Sequence, residues 1–206
     1  MRDDLRCSPT DVLALSAEAQ DLLFREARTP HTFTDEPVTD EQVRAIYDLV
    51  KWAPTSMNIQ PLRILLVRSD QARARLLDHL APGNRAKTGG APLVAVLGVD
   101  TDFHEQLHRT FPHFPGAKNV FADDAKRAAA ARTNGTLQLA YFLLGVRAAG
   151  LAAGPMTGFD AEGLTEEFFA GTPLQAIAVV NIGRPGPDAW FARSPRLPFD
   201  EVVSAA

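Results

Sequence analysis

Three features of this chain predict a fold that mixes helices and strands. Three short apolar strands alternate with helical segments, and one long Ala-rich helix is apolar nearly all round in its second half. The hydrophobic content of 46% over 206 residues is ample for a sizeable core. Alternation by itself permits a doubly wound parallel sheet. No internal repeat, low-complexity tract or long linker divides the sequence, so residues 1–206 are expected to form one domain.

The elements follow in order. Ser16 reads as the N-cap of a helix running to about Arg28, with Ala19, Leu22 and Leu23 on one face. Arg28-Thr29-Pro30-His31-Thr32-Phe33 then breaks the helix. Its basic, titratable and hydroxyl side chains form a set able to surround a phosphate, although an ordinary loop has the same look. Thr39-Asp40-Glu41-Gln42 is a capping box, and Val43, Ile46, Tyr47 and Val50 recur at helical spacing towards Trp52.

The helix delivers Ala53-Pro54-Thr55-Ser56-Met57-Asn58-Ile59-Gln60-Pro61, a loop made stiff by proline at both ends. It offers two hydroxyls and two amides and no charge, as suits a polar, uncharged part of a ligand or a plain helix-to-strand connection. Residues 63–68 read as a buried strand, and Asp70 as the cap of a helix over residues 71–80. In Asn84-Arg85-Ala86-Lys87 a helical turn would put the Asn84 amide and the Lys87 ammonium on one face. Residues 92–100 form a second apolar strand.

His104-Glu105-Gln106-Leu107-His108 matches H-E-x-x-H, which on a helix offers two imidazoles to zinc with the glutamate as base. Here Pro112 follows closely, and Phe114 stands where the extended metalloprotease pattern wants a third histidine. A solvated turn is the favoured reading. From Asp123 a long helix reaches Arg147, with Gly150 as its stop. Its second half has no wet face, which suits a large core or a subunit interface. Gly154-Pro155-Met156-Thr157-Gly158-Phe159 reads as a glycine-bounded turn that lets backbone approach a flat ligand. A short helix over residues 164–170 and a third strand over residues 175–182 follow. The tail Trp190-Phe191-Ala192-Arg193-Ser194-Pro195-Arg196-Leu197-Pro198 carries aromatics and two arginines, as if to lie against another surface.

Composition excludes several function classes. A net charge of -4 argues against a general affinity for nucleic acid or anionic membranes. The first twenty residues hold Arg2, Asp3, Asp4, Arg6, Asp11 and Glu18, so no secretory signal is expected, and no apolar run approaches a bilayer span. Cys7, the only cysteine, fits a reducing cytoplasm. Dinucleotide, P-loop and G-x-S-x-G motifs are absent from the sequence.

The segments Ala27-Arg28-Thr29, Lys51-Trp52-Ala53-Pro54-Thr55-Ser56, Asn58, Pro61, Gly83-Asn84, Lys87-Thr88, Gly154-Pro155-Met156, Gly158-Phe159-Asp160, Asn181-Ile182-Gly183, Arg193 and Pro195-Arg196-Leu197 together resemble the flavin-dependent nitroreductase family. Within it they look like the malonic semialdehyde reductase (RutE-like) branch. The resemblance implies an α+β, three-layer sandwich whose mainly antiparallel sheet is flanked by helices. It further implies a homodimer holding one FMN at each of two interfaces and exchanging a C-terminal arm, residues 188–206, with an N-terminal extension over residues 1–15.

By the same resemblance Arg28, Thr29, His31, Arg193 and Arg196 meet the phosphate and ribityl chain. Pro54, Thr55, Ser56 and Asn58 come from the second subunit; Asn84 and Lys87 face the pyrimidine edge; Pro155, Met156, Thr157 and Gly158 lie on the N5 side. His31 stands where much of the family has a fixed cation, so the phosphate grip is expected to weaken as it loses its proton. Ser194 replaces a lysine of some members, leaving Arg196 the surer ligand. The implied reaction is ping-pong: NADH or NADPH gives hydride to flavin N5, and an acceptor then takes it, with no side-chain nucleophile. Lys87 would stabilise the negative N1–C2=O edge of the reduced ring. The branch's acceptor is malonic semialdehyde, reduced to 3-hydroxypropionate, and Arg63, Arg109 and Arg132 are the cations available to its carboxylate.

Overall fold

The computed structural model describes residues 12–206; Cys7 and the charged residues expected to rule out a signal, up to Asp11, lie outside the described residues. Among the described residues four strands form one sheet: β1 (Leu62–Val67), β2 (Leu93–Asp100), β3 (Ala152–Met156) and β4 (Leu174–Gly183). Their order is β1-β2-β4-β3, and every neighbouring pair is antiparallel. The doubly wound parallel arrangement that alternation permitted is thereby replaced by an antiparallel one. β3 is also a strand where a turn was expected. Proline and glycine hid it, and an edge strand tolerates both because one side of its backbone needs no ladder partner.

The helices are α1 (Ala17–Gln20), α2 (Asp40–Val50), α3 (Asp70–His79), α4 (Pro82–Gly89), α5 (Leu107–Thr110), α6 (Asp124–Ala148), α7 (Ala161–Phe169) and α8 (Phe199–Val202). Ser16 caps α1 as expected, but the helix passes into a π-turn at Asp21–Arg25 before the expected end. The Thr39–Gln42 capping box is present in both directions. Ser69, rather than Asp70, caps α3, since its hydroxyl accepts from the Ala72 amide and Asp70 becomes the first helical residue. α6 begins at the Asp123 cap, and Gly150, at a φ of +73°, follows its end.

β2 alternates between the two sheet faces. Leu93, Ala95, Leu97 and Val99 join a cluster with Ile46 of α2 and Phe142 and Val146 of α6. Val94 and Val96 join a second cluster with Leu76 of α3 and Leu164 and Phe169 of α7. Both faces are covered, which makes three layers and explains why the strands read as unbroken apolar runs. Ile177 is an extra residue opposite Leu97 and Gly98, a bulge that bends the middle of β4.

α2 and α6 touch through Gly145, where an added Cβ would stand 2.4 Å from Val50 Cγ1. The Val50 and Ile46 side chains of α2 fill the space over Gly145. Gly145→Val should therefore force the helices apart and cost on the order of 1–3 kcal/mol. A fall of about 2–4 °C in thermal midpoint per kcal/mol is expected for a chain of this length, and calorimetry would detect it.

Candidate functional site

Residues 31–34 run antiparallel to residues 184–189. The His31 amide donates to the Ala189 carbonyl at 3.1 Å, Thr34 to Arg184 at 3.0 Å, and Gly186 back to Thr32 at 3.0 Å. This pairing places the Arg28–His31 loop beside the tail. The His31 ring lies 3.6 Å from Phe191, and the Arg28 guanidinium stands over Trp190 at 5.3 Å while donating to the Phe191 carbonyl.

The result is a cleft of about 400 Å³ lined by Arg28, Thr29, His31, Lys87, Phe191, Arg193 and Arg196. A second cavity of about 430 Å³ adjoins it and shares Arg28, Thr29 and Arg196. It adds Pro155, Leu23 and Ala140 to its walls. Among the described residues no carboxylate lies within ion-pair distance of Arg28, Lys87 or Arg196, and Arg193 is 4.0 Å from Glu26. His31 Nε2 is buried without a hydrogen-bond partner among the described residues. Four cations thus face one opening in a chain whose net charge is -4, a setting built for an anion.

α4 forms one wall. Its Asn84 Nδ2 donates to the Gly158 carbonyl at 2.9 Å, and Ala81 N donates to the same oxygen at 3.0 Å. A Cβ on Gly158 would stand 2.8 Å from Asn84 Nδ2, so a larger residue there would displace the amide from this bond. Pro155, Thr157 and Gly158 are exposed, whereas the Met156 side chain is buried in the core and can offer a ligand its backbone alone.

Pro54, Thr55 and Asn58 line a different cleft of about 350 Å³ with Tyr47, Lys51, Trp52 and Gln60; Ser56 is exposed beside it. One chain does not bring them to the cationic opening. Their loop is strained: Met57, Asn58 and Gln60 have φ of 50°, 52° and 42°. Side chains of α6 hold it. Asn134 Oδ1 accepts from the Ser56 amide at 2.8 Å while Nδ2 donates to Ala130 O at 2.9 Å, and one turn later Gln138 Oε1 accepts from Leu62 N at 3.0 Å. Asn58 itself bonds Thr110 O at 2.7 Å and Gln60 Nε2 at 2.8 Å. Sequence reasoning missed Asn134 and Gln138. The available signal was two amides four residues apart, on one face of a long helix, where burial is costly unless they are paired.

The H-E-x-x-H segment does not form the single helix that the zinc reading requires. Phe103–Gln106 is a 3₁₀ turn and only Leu107–Thr110 is α-helical, so the two imidazoles are not stacked on one continuous helix. His108 Nδ1 bonds the Glu105 carbonyl at 2.9 Å, and the Lys118 ammonium 2.7 Å from Glu105 holds that carboxyl below its ordinary pKa. No group of three His, Cys, Asp or Glu able to hold a metal occurs among the described residues. Of the three candidate acceptor cations, Arg63 pairs with Asp100 at 2.6 Å and Arg109 donates to Gln106 at 3.1 Å. Arg132 is exposed on α6, two residues before Asn134. No helix among the described residues is long and apolar enough to cross a membrane.

Asn134→Ala should leave the Ser56 amide unsatisfied, at a cost of about 1–3 kcal/mol. The expected readout is faster hydrogen–deuterium exchange across residues 55–60, with β2 and β4 unchanged.

Known proteins match this chain in sequence and in fold. A Streptomyces coelicolor protein provisionally named NADH dehydrogenase/NAD(P)H nitroreductase is 64% identical over 195 residues, spanning 93% of this chain and 98% of that protein. A crystal structure of a provisionally named nitroreductase from Bacillus subtilis superposes with a TM-score of 0.83 at 21% identity, covering 92% of this chain and 99% of the other. Another from Exiguobacterium sibiricum, in complex with FMN, superposes at 0.80 with 19% identity, covering 93% and 98%. The sequence pattern of the Nitroreductase family matches residues 24–184, from just before the cationic loop to the end of β4, and the chain belongs to that family.

Proposed function

We propose that this chain is an FMN-dependent NAD(P)H oxidoreductase that acts as a homodimer and reduces malonic semialdehyde to 3-hydroxypropionate. The observation that carries the reading is the cationic cleft of Arg28, Lys87, Arg193 and Arg196 with Thr29 and His31. Its donor set fits FMN, because a phosphate wants several N–H donors and a reduced flavin ring wants one fixed positive charge. Its volume falls in the range of roughly 300–1,000 Å³ usual for small-molecule sites. Support for the cofactor also comes from the FMN of the Exiguobacterium structure, and for the donor from the NADH and NAD(P)H in the Streptomyces relative's name.

When bound, FMN supplies the means to carry hydride from the nicotinamide to the acceptor. The rest falls to the chain. Arg28, Arg193 and Arg196 would bind the phosphate, with Thr29 and His31 beside them. Lys87 would place an ammonium against the ring edge that becomes negative on reduction, and Asn84 with Gly158 would hold the polar edge near it. Pro155 and Thr157, with the Met156 backbone, would give the ring a flat strand edge to lie on.

Pro54, Thr55, Ser56 and Asn58 would complete the site from a second copy. That step is supported by large apolar side chains left uncovered on α2 and α6, among them Tyr47, Leu49, Leu137 and Tyr141, and by Trp52 at 79% exposure. Residues 188–206 would form the exchanged arm, whose Phe199 is 71% exposed. Residues 1–206 would then act as one FMN-binding unit in a cytoplasmic enzyme.

Arg132 is the cation best free to meet the acceptor's carboxylate. Arg132→Ala should raise KM for malonic semialdehyde about tenfold, the scale of one charge-assisted hydrogen bond, and leave KM for a neutral nitroaromatic unchanged. The general test is spectroscopic: purified protein that stays colourless after FMN is added removes this reading. A second reading, a reductase of nitroaromatics, quinones or enones, draws on the nitroreductase in the relatives' names. Turnover of a nitroaromatic without turnover of the aldehyde, at matched NADPH, would select it.

A further inference from the structure

The cluster between the sheet and helices α3, α4 and α7 is apolar except at one point. Thr88 of α4 is fully buried and Asn181 of β4 is 1% exposed. Asn181 Nδ2 donates to Thr88 Oγ1 at 3.1 Å, and Thr88 Oγ1 donates in turn to Met156 Sδ at 3.7 Å. Asn181 pairs with Gly154 of β3 on one side and Val94 of β2 on the other. A single hydroxyl therefore joins α4 to both β4 and β3. From above, the Arg73 guanidinium donates to the Thr88 carbonyl at 3.1 Å and to the Ala91 carbonyl, holding the end of the same helix.

The neighbours of the two tied residues are the ones that matter. Lys87, adjacent to Thr88, lines the cationic cleft, and Pro155, adjacent to Met156, lines the cavity that adjoins it. Valine would fill the space of Thr88 without the expense of burying polar atoms, and leucine would suit the site of Asn181. Packing alone does not call for the pair. What the pair adds is a directional bond, which fixes the helix against the strands in a way that interchangeable apolar contacts do not.

We propose that Thr88 is a positioning residue: its hydroxyl, bonded to Asn181 and Met156, sets the separation of Lys87 from the Pro155–Gly158 segment and so tunes how the chain binds and biases the flavin. The proposal rests on the FMN reading above. Without the hydroxyl the helix can shift, and the Lys87 ammonium would stabilise the reduced, negative ring less well, which lowers the reduction potential.

The test compares wild type, Thr88→Val, Thr88→Ser and Lys87→Met by FMN titration of the apoprotein and by the midpoint potential of bound flavin. Thr88→Val should bind FMN about tenfold more weakly, the scale of one buried hydrogen bond, and show a more negative potential. Thr88→Ser keeps the hydroxyl and should stay close to wild type. If Lys87→Met shifts the potential while Thr88→Val matches wild type in both measurements, the tie is overturned and the flavin reading stands. If wild type binds no FMN, both fall. Should Thr88→Val not fold, Thr88→Val/Asn181→Leu leaves no unpaired polar partner in the core and must show the same weaker binding and lower potential.

Discussion

The antiparallel pairing of Leu93–Asp100 with Leu174–Gly183 is the interaction on which the molecule depends. Over Leu93–Val99 and Ala176–Gly183 both strands are buried on both faces, so their ladder hydrogen bonds have no access to water and must be made within the sheet. Each face then has to be roofed by helices. α2 and α6 cover one side, and α3, α4 and α7 the other. The edges are left to β1 and β3, and β3 carries a proline that no central strand would accept.

The candidate site follows from those edges. β4 continues beyond Gly183 into the stretch that pairs with residues 31–34, so the last strand of the sheet carries the cationic loop on its extension. Just beyond β3 the Gly158 carbonyl accepts two donors, the Ala81 amide at the cap of α4 and the Asn84 side chain within it. Charges distant in sequence, at Arg28, Lys87, Arg193 and Arg196, reach one opening because three backbone pairings bring them there. Buried polar bonds then define the angles: Asn134 on the Ser56 amide on one face of the sheet, and Asn181 on Thr88 on the other. These few groups cost desolvation, and their return is geometry, since hydrogen bonds have direction and apolar contacts have little.

Much of this was legible in the chain. The capping box at Thr39, the stop at Gly150 and three of the four strands carry local signals, because caps and apolar runs are properties of a few consecutive residues. The fourth strand was not legible, since its sequence, Ala-Ala-Gly-Pro-Met, has the composition of a turn, and only its pairing with β4 makes it a strand. The end of the first helix was misplaced because a π-turn has no sequence mark. The H-E-x-x-H motif described composition without conformation: the backbone there turns as a 3₁₀ segment before the second histidine.

The sequence by itself determined the residue types of the site and the family pattern that spans them, since these rest on identity and spacing. Tertiary structure decided which of those residues meet. Arg28, Thr29, His31, Lys87, Arg193 and Arg196 converge, whereas Pro54, Thr55, Ser56 and Asn58 stand at another cleft of the same chain. The physical reason is that convergence depends on strand order and register, set by burial on two faces of a sheet over the whole length of the chain, and no short stretch of residues contains that information.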